Sequence, residues 1–237
     1  GIGDTIRVSL TEAPEFEMPV AKKILSHFKE FNKQKLIGDI KHNPLKSFNY
    51  LKRETNVVLN IGGKNVPIVT ADFSSKEKIT PASFFALGYN YSVPLDKWHI
   101  SEMAADYIFV GDHDINFEVP GTLGIVYNYK KWIKNKNGYP CLNPKEYLTK
   151  TELSDKMNMV YACLSDLSEE LKRKIKLDKT AVLLINTQNK NGIAEQRKLF
   201  ADLINSNVKN PVIICRTYKN LSNEQLQISS SIDTGSL

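Results

Sequence analysis

Hydrophobic and polar positions alternate at the start of the chain, with Ile6, Val8 and Leu10 on one side and Thr5, Arg7 and Ser9 on the other. This two-residue period, opened by glycines and closed by Thr-Glu-Ala-Pro, predicts a short strand over 4–10 buried on its apolar face. The period then lengthens. Val20, Ile24, Leu25 and Phe28 recur at helical spacing, with Glu15 and Glu17 ahead and Lys22, Lys23 and Lys29 later, the charge order that a helix dipole favours. Pro19 belongs in the first turn of that helix, where its missing N–H costs nothing. From 32 to 55 the sequence is polar and lysine-rich, with Gly38 and Pro44, and reads as a connector. The expected units are 1–32 and 33–237.

Over 53–72, two β-rich runs flank Gly62-Gly63-Lys64-Asn65, a hairpin signal. Downstream, short β-branched runs alternate with helical stretches, the pattern of a parallel α/β sheet. Strands are expected at 68–71, 107–110, 123–127, 158–164, 181–185, 211–215 and 226–229. Helices are expected after Asn143-Pro144 with Glu146, after Asp166 with Glu169 (Leu167, Leu171 and Ile175 on one face), and after Gly192 (Phe200, Leu203, Ile204 and Val208). Residues 84–87 suit strand or helix, and 98–103 read as helical. The predicted fold is α/β and TIM-barrel-like, opened by a β-hairpin and incomplete. Seven strands need an eighth to close without edges, and the strand over 4–10 is the expected filler.

Composition narrows the function classes. The 237 residues, 41% hydrophobic and 24% charged, can build a core, and no apolar run is long enough to span a bilayer. With no initiator methionine and a strand at the outset, the chain reads as an excised piece of a longer protein. Cys141, Cys163 and Cys215 are widely spaced, which points to a reducing, cytoplasmic setting and offers no local signature of an iron–sulfur cluster. A net charge of +6 is spread along the chain with no basic block, so nucleic-acid binding is not expected. Neither is membrane binding.

Candidate chemistry lies in two places. Arg7 and Ser9, two residues apart on one strand face, suit a single anionic group, phosphate above all. If a barrel forms, function belongs at the carboxyl ends of its strands, which carry Asp72, Asp112, His113, Asn128, Asp166, Asn186, Thr187 and Arg216. Asp112, Asn186 and Arg216 are the candidates for an independent phosphate-binding enzyme. Solvated loops and helix caps account equally for polar residues at such ends. Gly111-Asp-His-Asp114 reads as a solvated loop rather than a metal site, because adjacent loop residues seldom converge. Gly62-Gly63-Lys64 lies between strands rather than before a helix, so a tight turn is a better reading than a phosphate cradle. His27, His42 and His99 have no evident sequence partner.

The opening residues Gly1-Ile-Gly-Asp-Thr-Ile-Arg-Val-Ser-Leu-Thr-Glu12 closely resemble the end of the catalytic barrel of the 4-hydroxy-3-methylbut-2-en-1-yl diphosphate synthase family. More loosely, the hairpin of 53–72 is similar to the one that opens that barrel. The resemblance implies a reductase that opens 2-C-methyl-D-erythritol 2,4-cyclodiphosphate to 4-hydroxy-3-methylbut-2-enyl diphosphate, using a 4Fe-4S cluster and ferredoxin or flavodoxin. It implies that Arg7 and Ser9 hold the substrate diphosphate. Members in plants and some bacteria carry a large insertion between barrel and cluster domain, and this chain resembles that insertion preceded by the last strand and helix of the barrel. It lacks the family's Cys-Pro-x-Cys motif. No catalytic residue, metal or cofactor is therefore expected within it, its partners are the remaining domains of the parent, and a homodimer is allowed.

Overall fold

The computed structural model describes residues 5–29, 37–45 and 52–235. Its central strands are β3 (Thr70–Asp72), β6 (Tyr107–Gly111), β7 (Gly124–Asn128), β8 (Tyr139–Leu142), β9 (Asn158–Ala162), β10 (Ala181–Ile185) and β11 (Val212–Ile214). They form one sheet in the order β11-β10-β9-β8-β7-β6-β3, curled into a half-barrel. All six pairings are parallel, with Leu183 opposite Val160 and Val212 in neighbouring strands. Two antiparallel hairpins stand apart from it: β1 (Val57–Val58) with β2 (Ile61–Gly62), and β4 (Tyr89–Ser92) with β5 (Lys97–Ile100).

Strand alternation divides the core in two. Ile108, Val160, Leu183 and Ile185 face a layer of outer helices: α2 (Tyr129–Asn135), α3 (Pro144–Thr149), α4 (Glu169–Leu177) and α5 (Gly192–Asn205). These supply Trp132, Tyr147, Leu171, Ile175, Leu199 and Leu203, all buried. Tyr107, Val126, Met159 and Val182 face the concave side, where Val58 and Ile61 of the first hairpin cover one end of the half-barrel. That hairpin is tethered by Arg53, whose guanidinium donates to the Val208 carbonyl at 2.6 Å and the Asn210 carbonyl at 2.9 Å.

The expected strands at 68–71, 107–110, 123–127, 158–164, 181–185 and 211–215 each overlap a sheet strand. The expected strand at 226–229 is instead part of helix α6 (Asn223–Thr234). Leu226 and Ile228 mimic alternation, but Ser222 and Gln225 form a capping box that commits the segment to a helix. β8 is an addition to the expected strands, because Pro140 in a four-residue strand reads as a turn. Residues 97–100 form β5 rather than a helix: Trp98 lies opposite Tyr91, ring centroids 5.1 Å apart, and cross-strand aromatics favour a sheet. Residues 84–87 lie in the 3-10 helix Pro81–Leu87. The first hairpin turns at Leu59 and Asn60, before the diglycine. Gly62 and Gly63 then carry φ of 84° and 60°, and a Cβ on Gly62 would lie 2.2 Å from the Asn56 carbonyl oxygen.

Helix α1 (Glu17–Lys29) forms as its periodicity predicts, with Pro19 in its first turn and Val20, Ile24 and Phe28 half-buried, although Leu25 is exposed. Residues 5–10 do not pair with any described strand. The Leu10 amide donates to Glu17 Oε1 at 3.1 Å, so the chain turns back onto the start of α1 instead of reaching a sheet edge. Ile6 and Leu10 are left exposed, and β3 and β11 are the two edges of the half-barrel among the described residues. The start of the expected strand, at Asp4, and the expected boundary between 32 and 33 lie outside the described residues.

Candidate functional site

The carboxyl ends of the strands are occupied largely by local structure. Asp72 Oδ1 accepts from the Ser74 amide at 2.9 Å and the Ser74 hydroxyl at 2.6 Å, closing the turn after β3. Asp112 is exposed to solvent, His113 Nε2 lies 3.2 Å from the Ser74 carbonyl oxygen, and Asp114 pairs with Lys131 at 2.5 Å, so Gly111-Asp-His-Asp114 points three ways. Asp166 accepts from the Cys163 amide and thiol at 2.8 and 3.0 Å, and Thr187 donates to Glu195 at 2.6 Å. Asn128 is the residue before α2, without a side-chain capping bond. Asn186 donates to the Tyr161 hydroxyl, while its Oδ1 is buried and unpaired. Three strands separate Asp112, after β6, from Asn186, after β10.

Arg216, beyond β11, enters a different arrangement. Its Nε and one terminal nitrogen donate to Asp233 Oδ2 at 3.2 and 2.9 Å, and the Tyr218 hydroxyl donates to the same oxygen at 2.7 Å. His27 Nε2 of α1 lies 3.1 Å from Asp233 Oδ1. Asp233 on α6 is fully buried, so its charge is held by Arg216 and its oxygens are met from both α1 and the β11 side. Burial, then the bond to Asp233, pushes the Tyr218 phenol well above its usual range. Helix α5 makes room: a Cβ on Gly192 would lie 1.7 Å from the Arg216 guanidinium. Sequence reasoning places Arg216 at a strand end but misses Asp233 and leaves His27 unassigned. The two are 206 residues apart, and no local pattern joins them.

Arg7 and Ser9 are both exposed, at the N-terminal side of α1. Two surface grooves lie elsewhere. One, of about 620 Å³ between α2 and α3, is lined by Lys130, Lys134, Lys145 and Lys150, and the other, of about 560 Å³, lies at the amino ends of β7 and β8 beside Glu152 and Asp155. The cysteines are all free thiols. Burial, with smaller contributions from Glu146, Cys215 and Asp72, pushes the Cys141 thiol up to about 12, and burial and then Asp72 raise Cys215. Among the described residues no three His, Cys, Asp or Glu side chains gather to hold a metal. A four-iron cluster is held by several thiolates, and this thiol set does not fit one. No described helix is long and apolar enough to cross a membrane.

The class these features define is an α/β, incomplete TIM-barrel-like unit with a helix docked on its last βα pair. The sequence then supplies the particular relatives. Along its whole length the chain is 30% identical to a 4-hydroxy-3-methylbut-2-en-1-yl diphosphate synthase (flavodoxin) of Parabacteroides distasonis and 29% identical to one of Phocaeicola vulgatus, covering 36% of each. Over 73 residues it is 41% identical to the synthase of Porphyromonas gingivalis, 30% of this chain and 13% of that protein. No protein-family model and no solved structure matches. The chain is thus homologous throughout to a segment of these synthases, and it spans about a third of the length of the curated relatives it matches.

Proposed function

We propose that the chain is part of an iron–sulfur reductase of isoprenoid biosynthesis, a cytoplasmic 4-hydroxy-3-methylbut-2-enyl diphosphate synthase acting on 2-C-methyl-D-erythritol 2,4-cyclodiphosphate. The observation that carries this reading is similarity over the entire chain to proteins bearing that name. Those names specify flavodoxin, which makes flavodoxin the electron donor to test first. Residues 1–32 contribute the last strand and helix of the catalytic barrel, and 33–237 form an inserted unit that spaces the barrel from the cluster domain. The cluster supplies electrons when bound, held by cysteines outside these residues. Within the longer chain, the Arg7 guanidinium and the Ser9 hydroxyl donate to diphosphate oxygens and orient the substrate. The inserted unit has no turnover of its own.

The test is substrate affinity in the longer chain. Arg7→Gln removes a charge-assisted contact and is expected to raise KM for the cyclic diphosphate at least tenfold, with a smaller rise for Ser9→Ala. An unchanged KM in Arg7→Gln contradicts the assignment.

A further inference from the structure

The buried carboxylate of Asp233, near the end of α6, does more than hold Arg216 and Tyr218 of the segment between β11 and α6. It is met from α1 by His27 at 3.1 Å and from the β11 side by Arg216 at 2.9 Å and Tyr218 at 2.7 Å. At the same helix pair Lys23 reaches Glu224 at 2.5 Å. The other end of α1 is tied as well, because Glu17 holds the Leu10 amide at 3.1 Å, one residue beyond Ser9. A continuous series of contacts therefore runs from the segment carrying Arg7 and Ser9, through Glu17, along about 15 Å of helix to His27, and into the Asp233–Arg216 pair.

We propose that His27 and Asp233 are positioning residues that pin α1 against the inserted unit and so fix the diphosphate-holding segment in place. The part of this proposal that concerns diphosphate rests on the synthase reading above; the pin itself rests on the geometry alone. The division of labour within the cluster follows from burial. Arg216 and Asp233 neutralise each other inside the unit, their side chains 12% and 0% exposed, whereas His27, at 21%, is the rim contact contributed by α1. Removing His27 leaves the Arg216–Asp233 pair in place and takes away the contact that α1 makes with it. Removing Asp233 would strand a buried guanidinium and disturb the whole unit. The Lys23–Glu224 pair is more exposed and contributes little to the docking.

The test uses the longer chain that contains these residues, with His27→Ala, His27→Gln and Lys23→Ala compared by amide hydrogen exchange and by steady-state kinetics. His27→Ala is expected to raise exchange in α1 at least tenfold while leaving β9, β10 and α5 protected. It is also expected to raise KM for the cyclic diphosphate severalfold with kcat little changed. His27→Gln, whose side-chain amide can still donate to Asp233, restores both, and Lys23→Ala changes exchange less than threefold. Unchanged exchange of α1 in His27→Ala overturns the pin. Raised exchange with an unchanged KM overturns the positioning of the diphosphate segment. A wild-type longer chain that does not turn over the cyclic diphosphate contradicts the synthase reading instead, and the exchange comparison still decides the pin.

Discussion

At the scale of single residues, the structure turns on a few groups that the sequence does not mark. Gly192 looks like any glycine opening a helix, yet a Cβ there would meet the Arg216 guanidinium at 1.7 Å. Gly192→Ala should push Arg216 off Asp233 and destabilise the fold by about 2–4 kcal/mol, a fall in melting temperature of roughly 5–12 °C for a chain of this size. Calorimetry checks it. Cys141 gives a prediction about pH. Burial pushes its thiol up to about 12 from an ordinary 9.0, and likewise pushes Tyr107 up to about 12 from 10.0. In both cases the unfolded chain loses its proton first, so stability falls towards pH 12 from about pH 9 for Cys141 and from about pH 10 for Tyr107, by at most about 1.4 kcal/mol per pH unit for each group. Cys141→Ala should flatten the first part of that decline in denaturant titrations at pH 8 to 11. A steeper decline in the variant would contradict the assignment.

At the scale of elements, sequence and structure agree wherever a local signal and the tertiary setting point the same way. Helix α3 is the clearest case: Asn143-Pro144 with Glu146 predicts it, and the Asn143 side chain accepts from the Glu146 amide at 2.8 Å while the Glu146 carboxylate accepts from the Asn143 amide at 3.1 Å. Asn143→Ala should cost about 1 kcal/mol in equilibrium unfolding. Strand β10 is legible in full because Ala181–Ile185 is a short, wholly apolar run buried on both faces. The misreadings have equally specific causes. Pro140 hides β8, the alternation of Leu226 and Ile228 disguises α6, and a Trp-His-Ile run read as helix becomes β5 once Tyr91 is across from it. The opening segment alternates as a strand should, but alternation cannot supply a neighbour, and the Leu10 amide bonds Glu17 instead.

At the scale of the whole molecule, the architecture is legible in the sequence and the site is not. Alternating β and α runs announce a curled parallel sheet, whereas what the strand-end residues do depends on partners that no spacing reveals. Asp72, Asp166 and Thr187 close turns and brace helices, and Arg216 faces a carboxylate on α6. Among the described residues the sheet ends in two unpaired edges, β3 and β11, with α6 following β11 as a βα unit would. Such edges are templates for added strands. The chain expressed alone should self-associate in a concentration-dependent way, seen by analytical ultracentrifugation, and a chain extended towards the length of the relatives should do so less. The central claim is that these residues are a non-catalytic segment of the synthase, and product formation tests it most directly. With cyclic diphosphate, reduced flavodoxin and reconstituted cluster, the longer chain should form 4-hydroxy-3-methylbut-2-enyl diphosphate and residues 1–237 alone should form none. Product from the 237-residue chain, or none from the longer one, would contradict the account.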